Sequence, residues 1–561
     1  MGSAPLSGYK CDCASSGIRA STGLHAPRAS RPLAYPQNEG RTGDKAGRHT
    51  GTMRRRVRRG LLAVLTASAL VGTLSGCGIS FFFPVVDEST PHPEDVGAAL
   101  EPYYGQVLQW DECGEFLCAT AKAPLDWDDP SVDEIELALI RQPAKKEKVG
   151  SLLLNPGGPG VSGYDFVADS IDIAVTEAVQ DNYDIVGFDP RGVGRSSEVS
   201  CVEPKELDNV IYGVPRNARG TDGWITGQNE LTHAFGQACL TTTGALLANV
   251  DTPSTARDVD MLRAALGEEQ LDYLGYSYGA YVGTIYAGLF PEKVGRLVLD
   301  GAIDPSLGEA QITLAQAQGI EASLRAYLTS CMPAGTCPFQ GSVDDGLATV
   351  RAILDAVSKT PLQSTDGRSL GVDTLVIAIA APLYSTETWP ALDTVFTTVL
   401  AGQADFALTI VDGYYGRTPD GDYTGNLFEA LRAVRCLDYP AQNSVAVMKE
   451  QGKALTAAAP HLGPYFAYSD LACLSWPFHS DNVPAAVNAP GAAPILVLGT
   501  TNDPSTPYAW AVAVATQLES GILVTRQGDG HTAFNKGNAC VDATVEQYLI
   551  DGVVPAADVL C

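Results

Sequence analysis

A strand that must become a helix within five residues constrains this chain more than any other feature. Leu271-Asp-Tyr-Leu-Gly275-Tyr-Ser277-Tyr-Gly279-Ala280 reads as a buried strand entering a helix, and Ala280–Ala287 continues with small and apolar residues at helical spacing. A Gly on each side of Ser277 permits a turn too tight for flanking side chains. Such a turn pushes the serine hydroxyl out at the end of the strand. In a chain with 57 Gly the spacing alone is weak, and the strand before it and the helix after it give it meaning.

Similar units surround it. Ser151–Leu154 is a short buried strand running into Asn155-Pro-Gly-Gly-Pro-Gly160, which can continue neither as strand nor as helix. Tyr183–Phe188 is a strand, followed by Asp189-Pro-Arg-Gly-Val-Gly-Arg-Ser196, read as a structural loop with an internal ion pair. Ile135–Ile140 alternates and is expected at a sheet edge, Ala256–Leu266 is an amphipathic helix, and Arg296–Gly301 is a strand. Strands alternating with helices predict an α/β fold with a mostly parallel central sheet covered on both faces. Between Pro305 and His479 the pattern turns helical (Gln311–Leu328, Val343–Val357, Ala391–Leu400, Leu427–Val434). Pro494–Leu498, Pro507–Leu518, Gly521–Thr525 and Val541–Leu549 then resume the strand-helix alternation. A large helical lid therefore interrupts one sheet domain.

Met53-Arg-Arg-Arg-Val-Arg-Arg59 followed by the apolar run Gly60–Leu74 reads as an export signal, too short to span a bilayer with ease. It ends in Leu74-Ser-Gly-Cys77, which resembles a bacterial lipobox and makes Cys77 the expected lipidation site, with membrane contact through that anchor alone. The expected organisation is an upstream extension outside the native protein (1–52), a lipoprotein signal (53–77), a Pro-rich acidic tether (78–106), the sheet domain in two parts (107–304 and 481–561) and the lid (305–480). Residues 1–77 carry 12 Lys+Arg and 3 Asp+Glu of the totals 37 and 65, so the remainder is more acidic than the whole-chain charge of -28. Such a surface excludes a nucleic-acid partner. Ten Cys follow Cys77, and an even number in an exported chain implies disulfides. Sequence does not fix the connectivity. Local closure favours Cys113–Cys118, Cys201–Cys239, Cys331–Cys337, Cys436–Cys473 and Cys540–Cys561. No metal site is expected, since this part holds neither a Cys-x-x-Cys pair nor a His pair at ligand spacing.

A serine hydroxyl needs a base and a group to orient that base. His531, on the Gly-rich loop Gln527-Gly-Asp-Gly-His531 after the last long strand, is the expected base. Asp503, in Gly499-Thr-Thr-Asn-Asp503 after the preceding strand, is the expected orienter. Asp529 competes but stands only two residues from His531. Developing negative charge on an acyl oxygen needs backbone donors, expected from Tyr278 after the nucleophile and from Gly158 in the early Gly-rich loop.

Four motifs in this order (Asn155–Gly160, Asp189–Ser196, Gly275–Gly279 and Asp503 with His531) resemble the proline-iminopeptidase-like serine peptidases of the α/β-hydrolase fold. The likeness is nearest to the exported tripeptidyl aminopeptidase group, and Cys436-Leu-Asp438 and Cys473-Leu-Ser-Trp-Pro477 look like its C-terminal segment. Proline iminopeptidases have a His where this chain has Pro156, while the glycines that follow are kept. The resemblance implies release of short peptides, often tripeptides, from free N-termini, with no cofactor. Such an enzyme must bind an ammonium, and Asp438 in the lid is the expected partner. A secreted carboxylesterase or lipase, and a lipid-anchored binding protein without catalysis, are the alternatives the motifs leave open.

Overall fold

The computed structural model describes residues 87–561; the upstream extension 1–52, the signal 53–77 with Cys77, and the start of the tether lie outside the described residues. Eight strands precede the lid: β1 (Asp87–Glu88), β2 (Gln109–Cys113), β3 (Phe116–Pro124), β4 (Glu134–Gln142), β5 (Gly150–Asn155), β6 (Tyr183–Phe188), β7 (Leu271–Tyr276) and β8 (Val294–Asp300). The lid carries a small hairpin, β9 (Leu362–Gln363) with β10 (Ser369–Leu370), and the chain returns through β11 (Ile495–Asn502), β12 (Gly521–Asp529) and β13 (Val559–Leu560). Apart from the hairpin these form one eleven-stranded sheet in the order β1-β2-β3-β4-β6-β5-β7-β8-β11-β12-β13. It is antiparallel from β1 to the β4–β6 pair and parallel from β6 to β13.

The helices outside the lid are α1 (Glu101–Tyr104), α2 (Gly163–Ala174), α3 (Glu177–Asn182), α4 (Pro204–Tyr212), α5 (Asp222–Thr243), α6 (Thr252–Ala265) and α7 (Tyr278–Leu289). The lid contains α8 (Glu309–Cys331), α9 (Val343–Lys359), α10 (Val372–Ala380), α11 (Trp389–Leu400), α12 (Asp405–Tyr415), α13 (Leu427–Asp438), α14 (Val445–Ala458), α15 (Gly463–Phe466) and α16 (Leu471–Leu474). Helices α17 (Tyr508–Gln517) and α18 (Ala539–Asp551) complete the second half.

β5 lies between β6 and β7 and every residue in it is buried, which explains its unbroken apolar run. One core lies on the α6–α7 face and continues into the lid; the other lies under α2, α3 and α18. Register sets Asn155 beside Gly275, and Tyr276 beside Asp300, which pairs in turn with Leu498. The loops that leave β5, β7, β8 and β11 therefore emerge side by side at one edge of the sheet.

Three expectations change. The Ile135–Ile140 strand is interior, because three further strands extend the sheet beyond it. Residues 87–106 are part of the folded body rather than a tether. β1 pairs with β2, and the nearly buried Glu94 holds Lys293 at 2.7 Å and Arg263 at 2.9 Å. The ion pair expected inside the Asp189–Ser196 loop is absent among the described residues. Asp189 instead accepts from the Ser162 hydroxyl at 2.5 Å and the Arg195 N–H at 2.7 Å. Arg191 turns to Asp258, with Nε–Oδ2 of 2.7 Å and Nη2–Oδ1 of 2.6 Å, both side chains being wholly buried. The carbonyls of Pro124, Leu125 and Asn249 take the remaining guanidinium N–H groups, and Trp127 donates to Asp258.

The lid is tied to the core by polar side chains at α13. Asn426 donates to the carbonyls of Gly192 and Val199 and accepts from the Gly194 N–H. Glu429 accepts from the Cys201 N–H at 2.7 Å. Asp438, at the far end, accepts from the Thr252 N–H at 2.8 Å and hydroxyl at 2.7 Å, at the start of α6. Burial outweighs these donors and pushes both Glu429 and Asp438 up to about 7.

Two outcomes are expected. Arg191→Met strands a buried carboxylate and should cost about 3–5 kcal/mol in denaturant unfolding, and Arg191→Lys should not restore it because the planar two-point match is lost; a loss under about 1 kcal/mol would contradict the role assigned to the pair. A carboxyl whose folded pKa lies above its unfolded value favours folding fully below the unfolded pKa, and this contribution is lost as pH rises through the folded pKa. For Asp438 and Glu429 the window runs from the ordinary carboxylate range to about 7. Melting temperature should therefore fall from pH 5 to pH 8, and Asp438→Asn should flatten that fall; an unchanged slope would count against it.

Candidate active site

Ser277 sits between β7 and α7 with φ 57° and ψ -120°, a conformation that L residues seldom adopt. Its N–H donates to the Asp300 carbonyl at 2.8 Å, which fixes the turn to the end of β8. The turn needs bare backbone on one side. A Cβ on Gly279 would lie 2.3 Å from the Asn155 carbonyl oxygen, so the first turn of α7 rests directly on the end of β5. Gly157, at φ 96°, presses from that same loop: a Cβ there would lie 2.4 Å from the Tyr276 carbonyl oxygen and 2.9 Å from the Tyr278 nitrogen.

This contact lays the loop that carries Gly158 against the start of α7, where the Tyr278 N–H lies. Tyr278 is the first residue of α7, where a helix leaves its N–H groups without partners inside the helix. The Gly157 N–H is already donated to Asn155 Oδ1 at 2.9 Å, which leaves Gly158 as the next donor along the loop.

His531 and Asp503 are paired. His531 Nδ1 stands 2.9 Å from Asp503 Oδ2 and 3.0 Å from Oδ1, which directs Nε2 away from the carboxylate. Asp503 is fully buried and also accepts from the N–H groups of Ser505, Thr506 and Thr532 and from the Thr506 hydroxyl. These donors hold both oxygens in place, as buried carboxylates require. Asp529, the competing acid, is occupied elsewhere by Asn502 Nδ2 at 2.5 Å. His531 reaches the elbow through β8: its Cε1 lies 3.2 Å from where a Cβ on Gly301 would be, one residue from the carbonyl that holds Ser277.

Three supporting residues escape a reading of the sequence. Thr506 Oγ1 donates to Asp503 and stands 3.2 Å from His531 Nδ1. An Asp followed by Ser and Thr two and three residues later, as in Asp503-Pro-Ser505-Thr506, is the local signal for such a turn. Asp300 is wholly buried, accepts from the Ala533 and Phe534 N–H groups, and burial pushes it up to about 6. It ties the elbow to the loop that carries His531. Tyr384, from the lid, accepts the His531 N–H at its carbonyl and sets its ring edge-on to the imidazole at 5.2 Å. Nothing in its local sequence marks it.

Asp438 does not join this group. Both of its oxygens are occupied by Thr252 and it is sealed beneath the lid, so the ammonium role expected of it fails on access. The carboxylates that reach a cavity lie nearby. A cavity of about 410 Å³ between α5, α8, α13 and the segment before α16 is bordered by Glu309, Gln316, Arg432, Arg435, Tyr439 and Asp470. It adjoins the paired residues through Gln316, which donates to the Ser505 carbonyl at 3.1 Å. It adjoins α7 through Tyr439, which sits against Tyr281. A second cleft of about 530 Å³ borders His531, Pro156 and Tyr384.

All ten described cysteines are bonded: Cys113–Cys118, Cys201–Cys239, Cys331–Cys337, Cys436–Cys473 and Cys540–Cys561, with Cα–Cα separations between 3.8 and 5.9 Å. Cys201–Cys239 fastens α5 to the loop after β6. Cys436–Cys473 joins α13 to α16 across the rim of the cavity.

The sequence profile of the family described as TAP-like protein matches residues 459–561, so that segment begins within the lid, before the second part of the sheet. The chain is 33% identical over 482 residues to serine protease Hip1 of Mycobacterium tuberculosis, covering 82% of this chain and 92% of that protein. It is 34% identical over 495 residues to carboxylesterase B of the same organism, covering 84% and 94%. With the tripeptidyl aminopeptidase of Streptomyces lividans it shares 29% over 473 residues, 81% and 86% of the two chains. A strand-serine-helix elbow against a Gly-rich loop, on a mostly parallel sheet interrupted by a helical lid, matches this kinship over most of the chain. The protein belongs to the α/β-hydrolase-fold serine peptidases of the proline-iminopeptidase-like family, in the group with the TAP-like C-terminal segment.

Proposed function

We propose that this protein is an exported serine aminopeptidase that releases short peptides, tripeptides in particular, from free N-termini. The observation that carries the reading is the cavity of about 410 Å³ under the lid, linked to the loop of Asp503 through Gln316, with the buried carboxylate of Asp470 in its wall. A pocket of this volume has room for a short segment, and a carboxylate withdrawn from water gains most from an opposing ammonium. Asp470 accepts from the Gln442 N–H at 3.0 Å and has no ion-pair partner among the described residues. It therefore takes the role that Asp438 cannot reach. Glu309, on the same cavity, is held by Arg435.

In the proposed mechanism His531 Nε2 takes the Ser277 proton as the hydroxyl attacks the scissile carbonyl. The Tyr278 and Gly158 N–H groups receive the charge that develops on the carbonyl oxygen. Asp503 holds Nδ1–H and stabilises the imidazolium. His531 then protonates the leaving amine, and water activated by the same ring releases the acyl group from Ser277. The open cleft beside His531 takes the departing chain. Export is supported by the basic and apolar run before Cys77 and by five disulfides, and Cys77 is the proposed site of lipid attachment. Among the described residues no helix is long and apolar enough to cross a membrane.

A relative named carboxylesterase at 34% identity gives the second reading, ester hydrolysis at the same serine. Hydrolysis of a free-amine tripeptide anilide, beside its N-acetylated form, separates the two. The chain lacking residues 1–77 should cleave the free amine and spare the capped substrate; equal cleavage of both would sink the aminopeptidase reading. Ser277→Ala should lower kcat by on the order of 10⁶ and Asp503→Asn by about 10⁴. Asp470→Asn should raise KM for the free-amine substrate about tenfold or more, the loss of one charged hydrogen bond, with kcat little changed. A normal KM in that variant would return the ammonium site to Glu309.

A further inference from the structure

Six charged side chains border the lid cavity, and they do not cancel in pairs. Arg435 is bound to Glu309, and Arg219 to Asp373. Asp470 is the acid left over, and Arg432 is the base left over. Arg432 has no carboxylate within ion-pair distance among the described residues. Its guanidinium carbon lies 5.5 Å from the centre of the Phe428 ring, and Tyr415 packs edge-on against that same ring, so the head group is oriented by aromatic faces rather than neutralised. Burial, with Arg435 one turn further along α13, pushes Arg432 down to about 10. It therefore stays charged at neutral pH, partly buried, near Glu309 but without an ion-pair partner of its own among the described residues. A guanidinium presents its N–H donors in a planar fork that matches a carboxylate at two points.

We propose that Arg432 forms a subsite for a carboxylate side chain in the peptide, an Asp or Glu within the segment that is cleaved off. This rests on the reading that the cavity receives the N-terminal segment. That segment has an ammonium at one end, and its carboxylates, where it has any, are on side chains. The two unpaired charges in the wall then have separate tasks: Asp470 meets the terminal ammonium and Arg432 meets the acidic side chain. Arg432 touches substrate in this arrangement but takes no part in bond breaking, so it sets preference rather than rate on neutral peptides.

Binding to the full chain carrying Ser277→Ala tests this without dependence on turnover. The probes are tripeptides amidated at the C-terminus, so that a side chain is the sole carboxylate: Ala-Ala-Ala and its three variants with Glu at each position, measured by titration calorimetry. At one position Glu should improve affinity tenfold or more over the all-Ala peptide. Adding Arg432→Gln should remove that advantage while leaving affinity for Ala-Ala-Ala within about twofold, and Arg432→Lys should keep part of it. Three results would overturn the proposal: no advantage for Glu at any position, an advantage that survives Arg432→Gln, or equal loss for neutral and acidic peptides in a variant whose melting temperature is unchanged. Should Arg432→Gln fail to fold, Arg432→Lys carries the test, with an undiminished advantage opposing the proposal. Failure of the aminopeptidase reading itself shows differently, as absence of all tripeptide binding together with cleavage of amino-capped substrates by the unmodified enzyme.

Discussion

The contact between Gly279 and the Asn155 carbonyl is the constraint on which the rest of the site depends. It lets α7 begin directly on the end of β5, closer than any side chain would allow. Because the two elements touch through bare backbone, the loop after β5 can lie against the first amides of α7, and Ser277 is lifted clear of both. The strained turn at Ser277 costs on the order of 1–3 kcal/mol. The neighbouring strand offsets it through the bond from the Ser277 N–H to Asp300. Asp300 is thus shared: its carbonyl holds the nucleophile's turn and its carboxylate holds the loop after His531. Nucleophile and base are positioned from one strand end, which leaves little freedom for them to drift apart.

The lid is organised by one helix with two polar faces. Along α13 and the residue before it, Asn426, Glu429 and, at the far end, Asp438 bond to core backbone at Gly192, Cys201 and Thr252. Phe428, Leu431, Arg432 and Arg435 recur at the spacing of three and four that defines the face opposite Asn426 and Glu429, and these border the cavity. The anchoring acids are buried and bonded to N–H groups, so they fix the helix without presenting charge to a substrate. What the helix offers the cavity is basic and aromatic. On the proposed reading the carboxylate for the amine comes from another segment, and the Cys436–Cys473 bond keeps the segment that supplies Asp470 close to α13.

How far the sequence could be read follows from how local each feature is. Ser277 was legible because the glycines around it answer a steric demand within five residues. Asp503 and His531 were legible because they follow consecutive strands and the loops are short. The long helix α5 was not seen, since few of its residues are buried and its polar surface resembles a loop; Trp224, Phe235 and Cys239 carry its packing. β1 to β3 escaped for a related reason: the alternation of Ile135–Ile140 says that a strand has two unlike faces, and says nothing of how many neighbours it has. Asp438 shows the limit most clearly. Its place in the lid beside Cys436 was readable, but the direction it faces depends on Thr252, 186 residues earlier in the chain. An acid on the last turn of a helix can point to solvent, cavity or core, and the helix alone does not choose.

The charge of the molecule and the charge of its cavity act over different distances. Excess acid after residue 77 produces a field felt by an approaching peptide, and salt limits its reach to about 8 Å at physiological ionic strength. That field favours approach by an ammonium and opposes an acidic side chain. Inside the cavity the pairs Glu309–Arg435 and Arg219–Asp373 are already neutral, so on the proposed reading a bound segment would meet the two charges left over, Arg432 and Asp470, at short range. The outer field then bears on how fast peptides arrive, and the inner pair on which of them stay. A peptide with a free amine and an acidic side chain would, on that reading, be slowed by the first and held by the second. A preference for it would then be a matter of slow release rather than fast capture, which is where most differences in affinity between related ligands arise.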